Sequence, residues 1–413
     1  MIKSFLFIVV GLVSTRGMAQ SQPVNIDSCY ALAVKNYPLI KQYGLIEKTK
    51  EYTLSNAGKA YLPQVSVTAI EGYVFGGLPA MSEGSNFKFI GMAQVNQTIW
   101  DGGATKAQKN IIQASSEADN ASVAVQLNEL RSRVNQLFFG ILLIDEQLKL
   151  LAIQDSILTN NINRVKLLND NGLAYKTDVD EIKVEQLKLS QQRTEFNYTR
   201  NGYVKILSIL TGRTIQSNEI LEKPLVANQA SEMPITRPEL ALYNSRRNLI
   251  NAKSAMQQVG LMPKIGLLGA GVVFAPGISL GTSKLSSLGV AGLSASWNIS
   301  GLYKNNNEKQ LTQLQLNAIN VQEETFLFNT KLQMAQSNAA IEKQKAVLHK
   351  DDEIVVLRQT IREGYQQKYS TGVGPLTDLL NATQKESDAR AQKALHQMQL
   401  LMSLYDLKTV TGN

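Results

Sequence analysis

Residues 87–100 read FKFIGMAQVNQTIW and lead directly into Asp101-Gly102-Gly103. One parity of this stretch is apolar or small (Phe87, Phe89, Gly91, Ala93, Val95 and Ile99), and the other carries Lys88, Gln94, Asn96 and Thr98. A period of two is that of a β-strand whose two faces meet different media. The length is near the roughly 9–11 residues that a tilted membrane-spanning strand needs. The stretch therefore predicts a strand with one face toward an apolar medium and one toward water.

The whole chain repeats itself at an offset of 200 residues. Its landmarks Pro38, Pro63, Gly172, Thr177-Asp178 and Thr211-Gly212 recur as Pro238, Pro263, Gly372, Thr377-Asp378 and Thr411-Gly412. The alternation recurs too, with Ala291, Leu293, Ala295, Trp297 and Ile299 on one parity and Ser294, Ser296 and Asn298 on the other. Because internal repeats define domain organisation, we predict two copies, residues 20–212 and 236–413, joined by a connector at 213–235.

Each copy is predicted to contain helices, two strands, a long helix, a turn and a final helix. The first copy has a helix at 27–61 capped by Asp27 or Ser28, strands at 64–75 and 87–100, a long helix at 103–170 and a helix at 176–211. The second copy has strands at 264–275 and 288–299, a long helix at 301–370 and a helix at 376–410. Thr177 and Thr377 are predicted to cap the helices that follow the turns.

Both long helices carry apolar residues at heptad spacing. In the first copy these are Leu127, Leu130, Val134, Leu137, Ile141, Ile144, Leu148 and Leu151, and in the second Leu327, Met334, Ile341, Leu348 and Val355. Such a pattern keeps one seam of a helix facing a partner helix. Residues 103–170 would span roughly 100 Å, so we expect an elongated structure. The helices at 27–61 and 176–211 together match this length and are expected to stack end to end beside the long helix.

The start of the chain has the composition of a signal peptide. Lys3 precedes an apolar run from Phe5 to Val13, and Gly17-Met18-Ala19 supplies small residues for cleavage. This charged start, short apolar run and small-residue site predict a signal peptide at 1–19. A protein that leaves the cytoplasm has little reason to meet nucleic acid, so we expect no nucleic-acid partner.

The composition also excludes several kinds of active site. The 413 residues include one Cys and two His, with 42 Lys and Arg against 34 Asp and Glu. A lone Cys29 excludes a disulfide framework and a Cys-based metal site. His349, His396 and the acidic run Asp351-Asp352-Glu353 are expected on solvated helix faces. We therefore predict no enzymatic activity, no catalytic residue, no metal site and no cofactor.

The predicted strands require more than one chain if they span a membrane. Four strands of one chain cannot close a membrane barrel, and lipid does not tolerate open strand edges. Three copies would supply twelve strands, an even number within the range of outer-membrane barrels. A homotrimer in outer-membrane lipid, with helical columns below the barrel, would satisfy this requirement.

Several short motifs, in order and in duplicate, resemble the TolC family of outer-membrane efflux proteins. They are Cys29-Tyr30-Ala31-Leu32-Ala33 with Asn36-Tyr37-Pro38, then Tyr61-Leu62-Pro63-Gln64, Gln97-Thr98-Ile99-Trp100-Asp101-Gly102-Gly103, Gly172 with Thr177-Asp178, and Gly372 with Thr377-Asp378-Leu379-Leu380-Asn381-Ala382. The resemblance implies a mainly α protein with a small β part. It would be a trimer whose 12-stranded outer-membrane β-barrel continues as a periplasmic α-helical barrel. It also implies passive export of drugs, metals or other small molecules, driven by an inner-membrane pump through a periplasmic adaptor protein.

The resemblance assigns roles to residues at two places, the gate and the turns. Tyr369, Asp378 and Asn381 match the periplasmic gate, where this chain has Asn381 in place of a second ring aspartate and Gly374 in place of a gate arginine. The turns would dock the adaptor, through Asn171, Gly172, Leu173, Thr177 and Asp178 in one copy and Gly372, Val373, Gly374 and Thr377 in the other. Independently of the resemblance, Trp100 and Trp297 close their strands at matching places. Aromatic residues favour the membrane–water interface, and packing against the strand-to-helix junction is the alternative for both.

Two other functions remain open on the sequence alone. A type I protein-secretion duct has the same architecture, because the pump selects the cargo. A periplasmic coiled-coil adaptor or a soluble scaffold would also contain long heptad helices and short strands. A duplication with alternating strands in each copy favours the outer-membrane channel over the adaptor.

Overall fold

The computed structural model describes residues 24–73, 75, 87–225, 233–276 and 286–413. The predicted signal peptide and part of the predicted connector lie outside the described residues. The helices are α1 (Ile26–Asn36), α2 (Lys41–Gly58), α3 (Ala104–Asn128), α4 (Leu130–Asp170), α5 (Lys176–Thr211), α6 (Pro238–Val259), α7 (Gly301–Ser370) and α8 (Leu376–Thr411). The strands are β1 (Gln64–Tyr73), β2 (Phe87–Trp100), β3 (Lys264–Pro276) and β4 (Ser286–Ser296).

The backbone repeats where the sequence repeats. Gly172 and Gly372, 200 residues apart, end α4 and α7 with φ values of 72° and 75°. Gly212 and Gly412 end α5 and α8 in the same left-handed region, with φ values of 66° and 87°. This region is open to glycine without the steric penalty of a Cβ. The equivalent glycines therefore terminate equivalent helices in the two halves of the chain.

The first helical segment is not continuous, contrary to the predicted helix at 27–61. Pro38 lacks the N–H that a helix interior needs and disfavours a helical residue before it. Tyr37 accordingly adopts an extended conformation with ψ 130°, and a short 3₁₀ turn, Pro38–Ile40, leads into α2. The predicted cap is also wrong, since Asn25 caps α1 by accepting the Ser28 N–H at 2.7 Å.

The long helix of the first copy is divided into α3 and α4 at Glu129. Around this point Val123, Leu127 and Leu130 are buried against side chains of α1, the 3₁₀ turn and α2. The heptad seam continues as predicted, because Val134, Ile141, Ile144 and Leu151 are also buried. In the second copy α7 is one helix of 70 residues, which corresponds to about 105 Å.

The helices form two groups of four, one near the strands and one farther away, and the long helix α7 runs through both. In the half near the strands, α3 contacts α2 and α6, and α6 contacts α7. In the other half, α4 contacts α5 and α8, and α8 contacts α7. The expected end-to-end stacking of the short helices beside the long one is therefore present. One side edge of the monomer is formed by α7 and the opposite edge by α2 and α5.

Asp352, Glu353 and His349 are exposed as predicted, whereas Asp351 and His396 are not on a solvated helix face. Asp351 is buried, with 7% exposure. Its carboxylate lies 2.6 Å from Nδ1 of His396 across the α7–α8 contact. The search for apolar residues at heptad spacing did not reveal this pair, because Asp351, three residues after Leu348, occupies a buried position of the seam with a polar side chain.

Candidate functional site

The four strands form one antiparallel sheet in the order β1-β2-β3-β4, so β1 and β4 are open edges. The register pairs Val67 with Ala93 and Val95 with Gly269 and, in the next pair, Gly269 with Ala291. Directly paired residues lie on the same face of a sheet. The alternating apolar residues predicted in the two copies therefore lie on one face of the sheet, which we call the apolar face. It carries Val65, Val67, Ala69, Ala93, Val95, Leu267, Ala291 and Leu293.

The opposite face, the polar face, is hydrophilic in the half nearest the helices. Its side chains there include Gln64, Ser66, Gln94, Asn96, Thr98, Ser294 and Ser296. A cavity between this face and the helix ends is lined by Ala57, Thr105, Gln108 and Met256. The polar side chains Asn96, Thr98, Ser294 and Ser296 contribute to the lining of this cavity.

The two tryptophans lie at the helix-proximal rim of the sheet. Trp100 pairs with Ile265, beyond a register shift in β2, and is 44% exposed. Trp297 is 57% exposed and donates its Nε1–H to the Leu261 carbonyl at 2.9 Å. It lies one residue beyond β4, which ends at Ser296, so the predicted strand at 288–299 extends too far. An amphipathic ring with a bonded N–H and an exposed body suits a boundary between water and an apolar medium.

Asp101 joins the sheet to α3. Its carboxylate accepts hydrogen bonds from the Tyr61 hydroxyl at 2.9 Å, the Gly103 N–H at 2.8 Å and the Thr105 N–H at 2.7 Å. Burial alone would raise the pKa of Asp101, but the bonds from Thr105, Tyr61 and Gly103 outweigh it and lower the pKa from 3.8 to about 2. The resemblance motif around residues 97–103 therefore contains a side chain that caps α3 and holds the strand-to-helix junction.

The low pKa predicts an acid-sensitive junction. Because the folded-state pKa lies below the unfolded value, the stabilisation is fully present above about pH 4 and is lost as the pH falls toward 2. Asp101→Asn should remove about 1 kcal/mol at neutral pH, typical of a lost helix cap. Thermal melting of both proteins between pH 6 and pH 2 should show the difference shrinking as the wild-type carboxylate is protonated. An equal difference at both pH values would contradict this assignment.

The two helical turns at the far end from the sheet have the same construction. The N–H of Leu173 donates to the Leu168 carbonyl at 2.8 Å, and the N–H of Val373 donates to the Lys368 carbonyl at 3.0 Å. Together with the left-handed glycine before each donor, this is the Schellman ending of a helix. It leaves Leu173 and Val373 exposed by 75% and 79%. Each tip thus presents an apolar side chain to its surroundings.

The following helices are not capped by threonine as predicted. The N-cap residues are Tyr175 for α5 and Pro375 for α8. Thr177 and Thr377 are the second residues of these helices. The carboxylate of Asp178 accepts the Tyr175 N–H at 3.1 Å. A carboxylate in the first turn also interacts favourably with the helix dipole.

Tyr369 lies in the apolar core between the two tips. It packs against a cluster that includes Val165 and Ile182 of one hairpin and Leu379 of the other. Burial, followed by the nearby negative charge of Asp178, raises the pKa of Tyr369. Arg164 of α4 donates to the Ser370 carbonyl at 3.4 Å, which links the two hairpins. Sequence reasoning missed Arg164, because a single arginine in a polar helix carries no distinguishing signal.

The other predicted gate residues lie apart from Tyr369. Asp378 and Asn381 are exposed on α8, and a spacing of three places them on one side of the helix. A groove between α5 and α8 is lined by Thr377 and Asn381 together with Asp180, Glu181 and Glu185. In the described part of the chain no hydrogen bond joins Tyr369 to Asp378.

Both side edges of the monomer expose large apolar side chains. On the α7 edge these include Leu311 (51%), Leu314 (62%), Val321 (60%) and Phe328 (62%). On the opposite edge they include Leu45 (64%) and Tyr52 (67%) of α2 and Leu187 (67%), Tyr198 (77%) and Ile209 (67%) of α5. Exposed apolar surface on this scale marks an interaction surface.

The described residues contain neither a metal-binding cluster nor a helix suited to crossing a membrane. No group of three His, Cys, Asp or Glu side chains there is arranged to hold a metal ion. None of the helices in those ranges combines the length and the apolar composition that a membrane crossing requires.

Comparison with known proteins gave one family and a set of solved structures. The model of the outer membrane efflux protein family matches residues 231–413. The outer membrane protein VceC of Vibrio cholerae has the same fold at 13% identity, with a TM-score of 0.69 over 94% of this chain and 96% of that chain. The CmeC outer membrane channel of Campylobacter jejuni is 14% identical, with a TM-score of 0.65 over 94% and 85% of the two chains.

The MtrE outer membrane channel of Neisseria gonorrhoeae, solved in its open state, is also 14% identical, with a TM-score of 0.63 over 94% and 89% of the two chains. None of the curated proteins compared with the chain matches it. Structural likeness at these identities shows the fold, and the family match covers the second copy. Residues 231–413 thus match the outer membrane efflux protein family, and the whole chain has the fold of the outer-membrane channels of the TolC family that its motifs resemble.

Proposed function

We propose that this protein is the outer-membrane channel of a tripartite export system. The observation that carries the proposal is a four-stranded sheet with two open edges and one apolar face. An open edge exposes unpaired N–H and C=O groups, which lipid does not tolerate. Pairing β1 of one chain with β4 of the next would satisfy both edges.

Three chains joined in this way close a twelve-stranded barrel. Its apolar face would contact outer-membrane lipid, and its polar face would line a water-filled duct. Trp100 and Trp297 would then lie at the periplasmic boundary of the membrane. The exposed apolar side chains of the α7 edge would pack against those of the α2 and α5 edge of the neighbouring chain. The homotrimer thus explains the open edges of the sheet and the exposed edges of the helices with one symmetry.

The helices would form the periplasmic part of the duct. With α7 near 105 Å long, the duct reaches far from the membrane toward an adaptor protein. The two tips expose Leu173 and Val373, which suits docking of an apolar partner surface. Transport is proposed to be passive, since the pump in the inner membrane would supply the energy and select the cargo, whether a drug, a metal ion or another small molecule.

Crosslinking of the native membrane tests this proposal. The protein should fractionate with the outer membrane, resist extraction by carbonate and crosslink as a trimer. The purified trimer should also conduct ions in a planar lipid bilayer. A carbonate-extractable monomer without conductance would instead favour a soluble scaffold or adaptor.

The gate is proposed to lie at the tips, at Tyr369, Asp378 and Asn381. In a trimer Asp378 becomes a ring of three carboxylates at the narrow end of the duct, and such rings select and bind cations. Asp378→Ala should lower the cation selectivity of the conductance and weaken block by Mg²⁺ or a trivalent lanthanide by roughly tenfold or more. Asn381→Ala, which removes no charge, is the matched control. The assignment is wrong if Asp378→Ala changes neither selectivity nor block.

A further inference from the structure

The two tips contain equivalent aspartates in equivalent backbones. Asp178 and Asp378 are each the third residue of their helices. The residues before these helices also match, with φ −87° and ψ 154° at Tyr175 and φ −73° and ψ 152° at Pro375. Any difference in behaviour between the two carboxylates must therefore come from side chains or from single hydrogen-bonding groups.

One such group distinguishes the two tips. Tyr175 has an N–H, and it donates to Oδ2 of Asp178 at 3.1 Å. Pro375 has no N–H to donate, because its nitrogen is closed into the pyrrolidine ring. The reciprocal bond of a capping box is consequently impossible for Asp378. Within the ranges that the structure describes, the exposed carboxylate of Asp378 has no hydrogen-bond or ion-pair partner.

We infer that Pro375 is a positioning residue that keeps the carboxylate of Asp378 free for cations, while Asp178 is held by its own helix. A carboxylate that accepts a backbone N–H is oriented toward that helix and shares its charge with the donor. The threefold axis would multiply this difference, because three free carboxylates would meet at the narrow end of the duct. The inference rests on the proposed channel function and explains why one of two duplicated aspartates would act in the gate.

Exchange of the two cap residues tests the inference. Pro375→Tyr copies the cap of the first tip onto the second and restores the N–H beside Asp378. Pro375→Ala restores the same N–H without the ring. Both variants should weaken block by Mg²⁺ or a trivalent lanthanide by roughly threefold to tenfold, in the direction of Asp378→Ala but less completely. Tyr175→Pro makes the reciprocal change in the first tip and should leave block at Asp378 undiminished.

Hydrogen–deuterium exchange of the purified trimer gives a readout that does not depend on conductance. The new amide at residue 375 should be protected in Pro375→Ala, and this protection should disappear in the double variant Pro375→Ala with Asp378→Ala. A structural effect of the proline alone would give the same exchange in both variants. Trimer formation, checked by crosslinking, controls for misfolding of any variant.

The outcomes separate the inference from the function on which it rests. A wild-type trimer that does not conduct would overturn both. If Asp378→Ala changes neither block nor selectivity, the gate assignment fails, and the role of Pro375 fails with it. If Asp378→Ala weakens block but Pro375→Tyr and Pro375→Ala do not, the channel and gate stand and the inference alone is wrong.

Discussion

Val67→Arg should abolish stable assembly of the channel in the outer membrane. Val67 is 76% exposed on the apolar face and is paired with Ala93. If this face contacts lipid, a guanidinium there destabilises the folded barrel by about 2 kcal/mol or more per chain. A trimer contains the substitution three times. We expect little trimer in the outer-membrane fraction, and thermal dissociation of any remaining trimer well below the wild-type temperature.

Ser66→Arg is the matched control for this substitution. Ser66 precedes Val67 in the same strand but lies on the polar face, where it is paired with Gln94. An arginine at this position would face a water-filled duct, so assembly should be close to wild type while ion selectivity shifts toward anions. Equal tolerance of both arginines would show that the apolar face does not contact lipid. Equal failure of both would show that β1 tolerates no charge on either face, which would contradict a wet duct.

The helix ends show how much local sequence can specify. The predicted bounds 176–211 and 301–370 coincide with α5 and α7. These helices end at glycine, or begin after a turn, so the signals lie within a few residues of the boundary. The break at Pro38 had an equally local signal, since a proline inside a helical pattern ends or kinks the helix. The prediction of one helix at 27–61 gave that signal too little weight.

Other features depend on residues far apart in the chain. Alternation predicted which residues of β2 share a face, but only the register of β2 with β3 shows that both copies place their apolar residues on the same face. The tip contacts are similar, since Arg164 and Ser370 are separated by about half the chain. The Asp351–His396 pair also joins two helices. Composition and periodicity do not encode such pairings, because each depends on how whole helices pack.

The caps were missed for a different reason. Serine, threonine and aspartate near a helix start are good candidates, yet only one residue can occupy the N-cap position. Asn25 occupies it in α1, two or three residues before the predicted ones, and Tyr175 and Pro375 occupy it in α5 and α8. The position is fixed by where the chain leaves the extended conformation. At the tips, the Schellman turn sets where the next helix begins. The sequence did reveal the glycines of these turns, Gly172 and Gly372.

The second large effect is expected at Arg200, a buried arginine that holds the connector to the helices. Arg200 is 8% exposed. Its Nε lies 2.5 Å from Oδ1 of Asp145, and its Nη atoms donate to the carbonyls of Ser217 and Glu219. Two segments meet beside it, because Val24 bridges to Leu221 and accepts the Glu222 N–H at 2.9 Å. One side chain therefore joins α4, α5 and the residues that follow the first copy.

Arg200→Met should reduce the free energy of unfolding by about 2–4 kcal/mol, because it removes a buried guanidinium and leaves two carbonyls and the partly buried carboxylate of Asp145 without their partner. Arg200→Lys keeps the charge but loses the planar, multiple-donor geometry, so its loss should be intermediate. Arg247→Met is the control, since Arg247 and Glu323 form a half-buried pair with side-chain exposures of 26% and 24%. That pair should contribute no more than about 1 kcal/mol. Thermal melting and limited proteolysis at 213–225 should show the largest loss of stability for Arg200→Met, a smaller loss for Arg200→Lys and the smallest for Arg247→Met. An Arg200→Met protein that melts with the control would show that water, rather than this arginine, can satisfy the connector.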